Sequence, residues 1–262
     1  MQRYFVTPEQ LYGDDHVYLT GDDAHHILRV MRMGPGDEFM VSDGISREAK
    51  AVIRKAEPGR VEAEVEEWLP MNGEPSWSIT VAQSLPKGDK MEWVIQKGTE
   101  IGAAAFIPFQ SQRMIVQYDD KKEAKRIERW SKIAKEAAEQ AHRSRIPDVK
   151  PVLPWRQLLK EIGQYDLALF CYEKEGGAAG TGLRAAIGSY YDSKGLTDRL
   201  ASRISVLLIV GPEGGFTPRE AEEAEAEGAV IVGLGRRILR TETAAMVGLA
   251  CLMYESGEMG GE

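Results

Sequence analysis

Apolar and polar residues alternate along the first seventy residues of the chain. In residues 60–66 an apolar residue alternates with glutamate, the spacing of a strand with one face in water. Similar short runs at 17–20, 38–42 and 49–53 are separated by glycine-bearing turns. Residues 22–30 begin with two aspartates and predict a short helix. The segment therefore predicts a small β-barrel.

The pattern changes after Pro70, Gly73 and Pro75, which interrupt both the strand and the helix period. Longer apolar runs then alternate with amphipathic stretches, and one short helix is predicted within a loop that reaches Arg203. Strands are predicted at 78–83, 105–109, 167–172, 205–210 and 229–232, and helices at 90–101, 121–141, from Pro218 to before Gly228, and 243–254. This alternation predicts an α/β domain with a mostly parallel sheet. We expect two domains, 1–72 and 73–262.

Composition narrows the class of protein. The 262 residues are 43% hydrophobic and 28% charged, as in ordinary globular proteins. No apolar run approaches the roughly 18 residues of a membrane span, and the first residues lack a signal-peptide core, so we expect a cytoplasmic protein without a membrane partner. Cys171 and Cys251 lie in apolar contexts and are expected to be buried, reduced thiols. The four histidines fall into no zinc spacing, which predicts no structural metal.

Charge is distributed unevenly along the chain. The net charge is −8, yet residues 71–160 hold 16 Lys and Arg against 11 Asp and Glu. A local basic patch, rather than the total charge, steers a polyanion. The overall acidity therefore does not exclude a nucleic-acid partner.

Two glycine-bearing loops follow predicted strands and precede predicted helices. Residues 210–216 read Val-Gly-Pro-Glu-Gly-Gly-Phe, and residues 233–244 read Gly-Leu-Gly-Arg-Arg-Ile-Leu-Arg-Thr-Glu-Thr-Ala. Glycine lets a ligand approach the backbone closely, and parallel sheets bind ligands beyond the carboxyl ends of their strands. The alternative is that these glycines serve only turns. The two loops together favour a pocket for a nucleotide-like ligand. A dinucleotide oxidoreductase is disfavoured, because no Gly-x-Gly-x-x-Gly follows a first strand.

These motifs resemble the signature of the SPOUT methyltransferases. More narrowly, they are similar to the bacterial family that methylates N3 of a uridine in 16S ribosomal RNA. Four further segments agree with that family: His25-His26 with Val30-Met31-Arg32, Gln-Lys-Gly-Thr-Glu-Ile-Gly at 96–102, Arg129-Trp130 with Glu-Ala-Ala-Glu-Gln at 136–140, and Arg143 with Ile146-Pro147. Ala141-His142 stands where the family has Ser-Gly. The resemblance covers nearly the whole chain.

The resemblance implies a fold, a cofactor and partners. It implies a PUA-like N-terminal barrel for RNA recognition and a C-terminal SPOUT domain with a deep trefoil knot. It also implies S-adenosylmethionine as the cofactor, a homodimer, and 16S ribosomal RNA or the 30S subunit as the substrate. Knots are rare enough that general folding rules would not predict one.

Candidate site residues follow from the loops and the resemblance together. The residues predicted to bind the cofactor are Tyr172, Val210, Gly211, Pro212, Glu213, Gly214, Gly215, Leu234, Gly235, Ile238, Leu239, Arg240, Thr241, Thr243 and Ala244. The predicted RNA-binding residues are Arg29, Arg32, Arg113, His142, Arg143 and Arg145.

The catalytic candidates follow from the chemistry of uridine N3, which carries a proton and is a poor nucleophile until that proton is removed or the anion is stabilised. Arg240 and Arg113 are candidates to stabilise the anion, and Glu242 is a candidate to accept the proton. Two alternatives stay open: another SPOUT reaction such as ribose 2′-O-methylation, and a non-enzymatic RNA-binding protein that keeps the fold.

Overall fold

The computed structural model describes residues 1–13, 15–114, 120–172, 181–198 and 202–259. The chain forms two compact units. The first contains Met1–Glu74 and Ala138–Ile146, and the second contains Pro75–Ala137 and Pro147–Glu262.

The first unit is built on a six-stranded sheet. Its strands are β1 (Arg3–Phe5), β2 (Leu11–Tyr12), β3 (His16–Thr20), β4 (Glu38–Ser42), β5 (Glu48–Glu57) and β6 (Arg60–Leu69). They lie in the order β1-β4-β5-β6-β3-β2, antiparallel except for the pair β1 and β4. The four strands predicted from alternation are present, with β5 and β6 longer than expected. Val61 and Ala63 are buried in this unit's core, as their alternation with glutamate requires.

The helix predicted at 22–30 is present in two parts. α1 (Gly21–His25) continues into one turn of π-helix over His26–Val30, in which the Met31 N–H donates to the His26 carbonyl at 2.9 Å. A hydrogen bond of 2.9 Å between the Tyr4 hydroxyl and His26 Nδ1 joins this turn to β1. Arg32, just beyond it, has a φ of 56°.

A buried ionic cluster joins distant parts of the first unit. The Arg3 guanidinium donates to both oxygens of Glu48 at 2.7 Å, and its Nη1 also donates to the Arg143 carbonyl at 3.1 Å. The Ser144 hydroxyl donates to Glu48 Oε2 at 2.8 Å. Buried charges are tolerated when they are paired and hydrogen-bonded in this way. The segment 138–146 is thereby bound to β1 and β5.

The second unit is a parallel α/β fold. Its strands are β7 (Ser78–Ser84), β8 (Ala105–Gln110), β9 (Asp148–Val149), β10 (Leu153–Pro154), β11 (Leu167–Cys171), β12 (Thr181–Gly182), β13 (Ser205–Val210) and β14 (Val230–Gly233). The main path runs β10-β8-β7-β13-β11-β14-β12, β9 pairs with β8, and each recorded pair is parallel. The helices are α2 (Lys90–Ile101), α3 (Asp120–Gln140), α4 (Trp155–Ile162), α5 (Leu183–Lys194), α6 (Pro218–Ala226) and α7 (Thr241–Glu255). α3 continues past Ala137, so its last three residues belong to the first unit.

Apolar side chains cover both faces of the parallel sheet. Val206, Leu208 and Val210 of β13 pack in one cluster, which also holds buried residues of α2, α5 and α7. Leu207 and Ile209 pack in a second cluster with buried residues of α4 and α6. Burial on both faces explains why β13 is a continuous apolar run. The predicted α/β class is confirmed, and the trefoil knot implied by the resemblance stays a prediction.

Some sequence expectations need correction. Cys251 is exposed on α7, so the expectation that both thiols are buried is wrong for that residue. Cys171 is partly buried, and desolvation raises the pKa of its thiol to about 12. α4 and the two-residue strands were not predicted. Within the loop predicted to hold one short helix, α5 is present, and residues 173–180 and 199–201 lie outside the described part of the chain.

The described residues include no helix that is long and apolar enough to cross a membrane. In the same ranges, no group of three or more His, Cys, Asp or Glu side chains could hold a metal ion.

Candidate cofactor site

A cavity of about 950 Å³ lies at the carboxyl ends of β11, β13 and β14. It is bounded by the two glycine-bearing loops and by the N-terminus of α7. Its lining residues are Lys90, Arg113, Cys171, Tyr172, Val210, Gly211, Pro212, Glu213, Gly214, Gly215, Phe216, Pro218, Val232, Gly233, Leu234, Gly235, Arg237, Ile238, Leu239, Arg240, Thr241 and Ala244. This is the edge at which parallel α/β sheets bind their ligands.

The first loop depends on glycine at specific positions. A Cβ on Gly211 would lie 2.9 Å from the Phe216 ring, and one on Gly214 would lie 3.2 Å from Arg113 Cβ. Gly215 has a φ of 65°, and its N–H donates to the Pro212 carbonyl at 2.9 Å to close a turn. Gly211 and Gly214 thus allow neighbouring side chains to pack closely against the loop, and Gly215 allows the backbone to adopt a left-handed conformation.

An aromatic cluster supports this loop from the core. Phe216 is buried, with its ring centroid 4.1 Å from that of Phe170 and 6.2 Å from that of Phe109, on which it stacks. The Trp155 ring completes the group at 6.1 Å from Phe216. Aromatic packing of this kind fixes a side chain firmly. The loop therefore has a rigid anchor beside the cavity.

The start of α6 fixes the far end of the same loop. The Thr217 hydroxyl accepts from the Glu220 N–H at 3.2 Å, and Glu220 Oε2 accepts from the Thr217 N–H at 2.8 Å. These two reciprocal hydrogen bonds form a capping box at the start of α6. Glu220 is fully buried, and its other oxygen accepts from the Gln112 N–H at 2.9 Å. The capping residue therefore also holds the segment that carries Arg113.

A charged group borders the cavity at the start of α2. Lys90 Nζ donates to Glu213 Oε1 at 2.8 Å and lies 3.6 Å from Glu242 Oε2. Burial alone would raise the pKa of Glu213, but hydrogen bonds from Lys90 and from backbone N–H groups outweigh it and hold the pKa below its ordinary value. The hydrogen bond to Glu213 likewise raises the pKa of Lys90. Lys90 and Glu213 are therefore both charged at neutral pH.

The structure brings most of the predicted cofactor residues together. Every one of them lines the cavity except Thr243. Arg113 and Arg240, predicted as catalytic, also line it, and Arg113 Nη1 donates to the Gly214 carbonyl at 3.3 Å. Glu242 and Thr243 are not lining residues, because successive side chains on a helix project about 100° apart and the lining face of α7 carries Thr241 and Ala244, three residues apart.

The predicted RNA-binding residues of the first unit differ in exposure. Arg29, Arg32, His142 and Arg145 are exposed. Arg143 is buried, and its guanidinium donates to Glu74 Oε1 at 3.3 Å and also binds Oε2. Its guanidinium is therefore committed within the unit, which corrects the expectation that it contacts RNA phosphates.

Several lining residues are absent from the individually predicted site residues, although Phe216, Gly233 and Arg237 lie in the two loops that predicted the pocket. The absent residues are Lys90, Cys171, Phe216, Pro218, Val232, Gly233 and Arg237. Phe216, Pro218, Gly233 and Arg237 lie within or next to the glycine motifs, so adjacency could have found them. Lys90 had no such signal, because it begins a helix that precedes the first glycine loop by more than a hundred residues.

The parallel sheet and its glycine-lined cavity define an α/β protein with a site for a nucleotide-like ligand. Comparison with known families gives the class: residues 73–253 match the model of the RNA methyltransferase domain, and residues 19–66 match that of the RNA methyltransferase PUA domain. The chain belongs to the ribosomal RNA small subunit methyltransferase E family. It is 41% identical over 264 residues to the Bacillus subtilis protein of that name, covering 100% of both chains.

Other relatives agree with this assignment. The chain is 34% identical to ribosomal RNA small subunit methyltransferase E of Mycobacterium tuberculosis, covering 88% of this chain and 84% of the relative. A crystal structure of the Neisseria gonorrhoeae protein of the same name, bound to S-adenosyl methionine, superimposes with a TM-score of 0.79. That protein is 30% identical to this chain, and the match covers 97% of each.

Proposed function

We propose that this protein methylates N3 of a uridine in 16S ribosomal RNA, with S-adenosylmethionine as the methyl donor. The cavity at the carboxyl edge of β11, β13 and β14 carries the proposal, since both glycine loops and the N-terminus of α7 meet there. The Neisseria relative, which binds S-adenosyl methionine, supports the choice of donor. Membership of an RNA methyltransferase family supports the choice of substrate.

The cavity fits this cofactor in size and chemistry. Its volume of about 950 Å³ falls within the usual range for small-molecule sites. Val210, Leu234 and Leu239 supply apolar walls, and the glycines leave backbone groups accessible for an adenine edge. Glu242 Oε2 is buried without a hydrogen-bond donor among the described residues. Lys90 Nζ lies 3.6 Å from this oxygen, so the carboxylate already has a cationic partner at the edge of the cavity.

The roles of the protein groups follow from the reaction. The cofactor supplies an activated methyl group, and in-line transfer depends mainly on positioning. The uridine must lose its N3 proton, and we assign Arg113 and Arg240 to stabilise the resulting anion through its carbonyl oxygens. We keep Glu242 as the proposed proton acceptor. It is not a lining residue, but its Oε2 accepts no hydrogen bond from the described residues and lies 3.6 Å from Nζ of Lys90, which lines the cavity.

A binding and product assay tests the proposal. Calorimetry should show S-adenosylmethionine binding to the purified protein. The protein should then transfer a labelled methyl group to 30S particles from a strain that lacks the gene, with 3-methyluridine as the product in nucleoside mass spectrometry. The Arg240→Ala variant should lose activity. Exposed Arg236, which does not line the cavity, is the matched control as Arg236→Ala.

The same assay separates the alternatives. A ribose-methylated nucleoside would support 2′-O-methylation in place of N3 methylation. RNA binding without methyl transfer would support a non-enzymatic role, and absence of cofactor binding would contradict the proposal altogether. Activity on naked 16S RNA but not on 30S particles would overturn the assembled subunit as substrate.

We infer that residues 1–72 recognise RNA and that residues 73–262 carry the methyltransferase site. Exposed Arg29 and Arg32 support the first role, since phosphate contacts come mainly from accessible cations. Replacing Arg32 by Ala should weaken RNA binding. The slope of the logarithm of the binding constant against the logarithm of salt concentration should fall by about one, as expected for the loss of one phosphate contact. An unchanged salt slope would argue against that contact. Ribosomal RNA as substrate also implies a cytoplasmic location.

We further propose a homodimer formed through α7. One side of this helix is buried in the core through Ala245, Leu249 and Leu252. The other side leaves an apolar stripe partly or fully exposed, in which each residue has another member three or four positions away: Met246, Val247, Ala250, Cys251 and Tyr254. A helix that is apolar all round is normally buried all round, and a second copy of α7 would complete that burial.

Light scattering tests the dimer. The wild type should have the mass of two chains at micromolar concentration, and Met246→Glu should have the mass of one. Glu222→Lys, on the exposed side of α6, is the charge-change control and should remain dimeric. A monomeric wild type would contradict this assembly.

A further inference from the structure

Gln83 makes a buried hydrogen-bond network next to the cofactor cavity. The residue lies near the end of β7, paired in register with Val210, and is fully buried. Its Nε2 lies 2.8 Å from Thr241 Oγ1, 2.9 Å from the Ser84 carbonyl and 3.4 Å from the Gly211 carbonyl. All three partners are acceptors, so they fix the orientation of the amide.

Thr241 carries this network to the first glycine loop. It is the first residue of α7 and is buried, and its hydroxyl donates to the Gly211 carbonyl at 2.6 Å. The same oxygen accepts from Gln83 Nε2. A single chain of hydrogen bonds therefore joins β7, the start of α7 and the loop that follows β13. The last two of these elements line the cavity.

We propose that Gln83 is a positioning residue of the cofactor site and acts through Thr241. It is not among the residues that line the cavity, so its effect is on geometry: it sets the Gly211 peptide and the N-terminus of α7 relative to each other. Sites of this kind lose function when a supporting group lets the lining move by about 1 Å. The inference rests on the proposed function, because it takes the cavity to be the S-adenosylmethionine site.

A double-mutant cycle tests the inference. Gln83→Leu removes the donors while keeping a similar volume, and Thr241→Val removes the hydroxyl. Each should raise the dissociation constant for S-adenosylmethionine about tenfold, as expected for one lost buried hydrogen bond. The double variant should bind no more weakly than either single variant, because both changes break one chain. Calorimetry gives the dissociation constants, and thermal unfolding without ligand gives stability.

Ser111→Ala provides the matched structural control. The Ser111 hydroxyl forms a buried hydrogen bond of 2.7 Å with the hydroxyl of Ser84, the neighbour of Gln83 on β7. Its loss should lower the melting temperature and leave cofactor affinity unchanged. A residue with only a structural role would behave like Ser111.

Several results would overturn the inference. One is a Gln83→Leu variant that binds S-adenosylmethionine with the affinity of the wild type. Another is a double variant whose dissociation constant rises by the product of the two single fold-changes, which would show that the residues act independently. If Gln83→Leu does not fold, Thr241→Ser and Thr241→Val carry the test: the serine variant, which keeps the hydroxyl, should bind the cofactor about tenfold more tightly than the valine variant. Equal binding by the serine and valine variants would exclude a role for the hydrogen bonds of the Thr241 hydroxyl. Failure of the wild type to bind would contradict the proposed function itself.

Discussion

Lys90 Nζ lies 2.8 Å from Glu213 Oε1, which joins the first residue of α2 to the first glycine loop. The same carboxylate oxygen accepts from the Lys87 N–H at 3.1 Å. Both side chains are partly exposed, so the pair contributes at most about 1 kcal/mol to stability. Its larger effect is on the shape and charge of the cavity.

Replacing Lys90 by Met should therefore weaken cofactor binding several-fold while changing the free energy of unfolding by less than about 1 kcal/mol. The loop loses an anchor, but the core is untouched. Lys97→Met is the control, because Lys97 pairs with Glu100 on the same helix and does not line the cavity. Calorimetry and urea unfolding separate the two effects, and equal binding by both variants would count against this role of Lys90.

Replacing Gly211 by Ala should abolish cofactor binding. The new methyl group would lie 2.9 Å from the Phe216 ring, which is buried against Phe170 and cannot move without disturbing the core. Overpacking of this kind costs about 1–3 kcal/mol. Gly163→Ala is the control, because nothing lies within 4 Å of its Cβ position and its φ of −71° suits alanine. Wild-type binding by Gly211→Ala would refute the tight packing.

Replacing His142 by Gly should stabilise the protein by about 0.5–1 kcal/mol. His142 has a φ of 55° just after α3, a conformation that glycine adopts without steric cost. His142→Ala should give no such gain, since alanine keeps the Cβ that causes the strain. Chemical denaturation measures the three free energies. A destabilised glycine variant would indicate that the imidazole makes a compensating contact.

Replacing Asp43 by Asn should destabilise the protein at neutral pH and have little effect near pH 2. Burial alone would raise the pKa of Asp43, but three backbone N–H groups at 2.9 Å and Arg47 outweigh it and hold the pKa below its usual value. The resulting stability is present above the unfolded pKa of about 3.9 and is lost as the pH falls through the folded pKa. Urea unfolding of both variants across this range measures it. A constant difference would contradict the linkage.

Hydrophobic periodicity, together with glycine and capping residues, was sufficient to predict most of the helices and strands. The ends of α2 and β13 follow directly from periodicity and flanking glycine, and α6 begins where Thr217, Pro218 and Glu220 indicate. α4 was missed, because a two-turn helix that follows Pro154 offers too short a period. The π-turn at His26–Val30 could not be foreseen either, since its hydrogen bonds depend on tertiary support from Tyr4.

The candidate site was predictable only in part for a similar reason. The glycine loops are contiguous motifs, so their residues could be named from the chain. Gln83 and Lys90 reach the same site from a different strand and helix, and their partners lie more than a hundred positions away. Pairing over such distances is fixed by sheet order, which a linear pattern does not contain.

The ionic cluster of Arg3, Glu48 and Ser144 has a consequence for how the chain folds during synthesis. The first unit needs Arg143 and Ser144 to complete the partners of its buried charges. When only residues 1–74 of the nascent chain have left the ribosome, Glu48 lacks the hydrogen bond that Ser144 donates in the complete protein. The N-terminal unit therefore reaches its native state only after more than half of the polypeptide has been made, and a fragment cut at its apparent end would be incomplete.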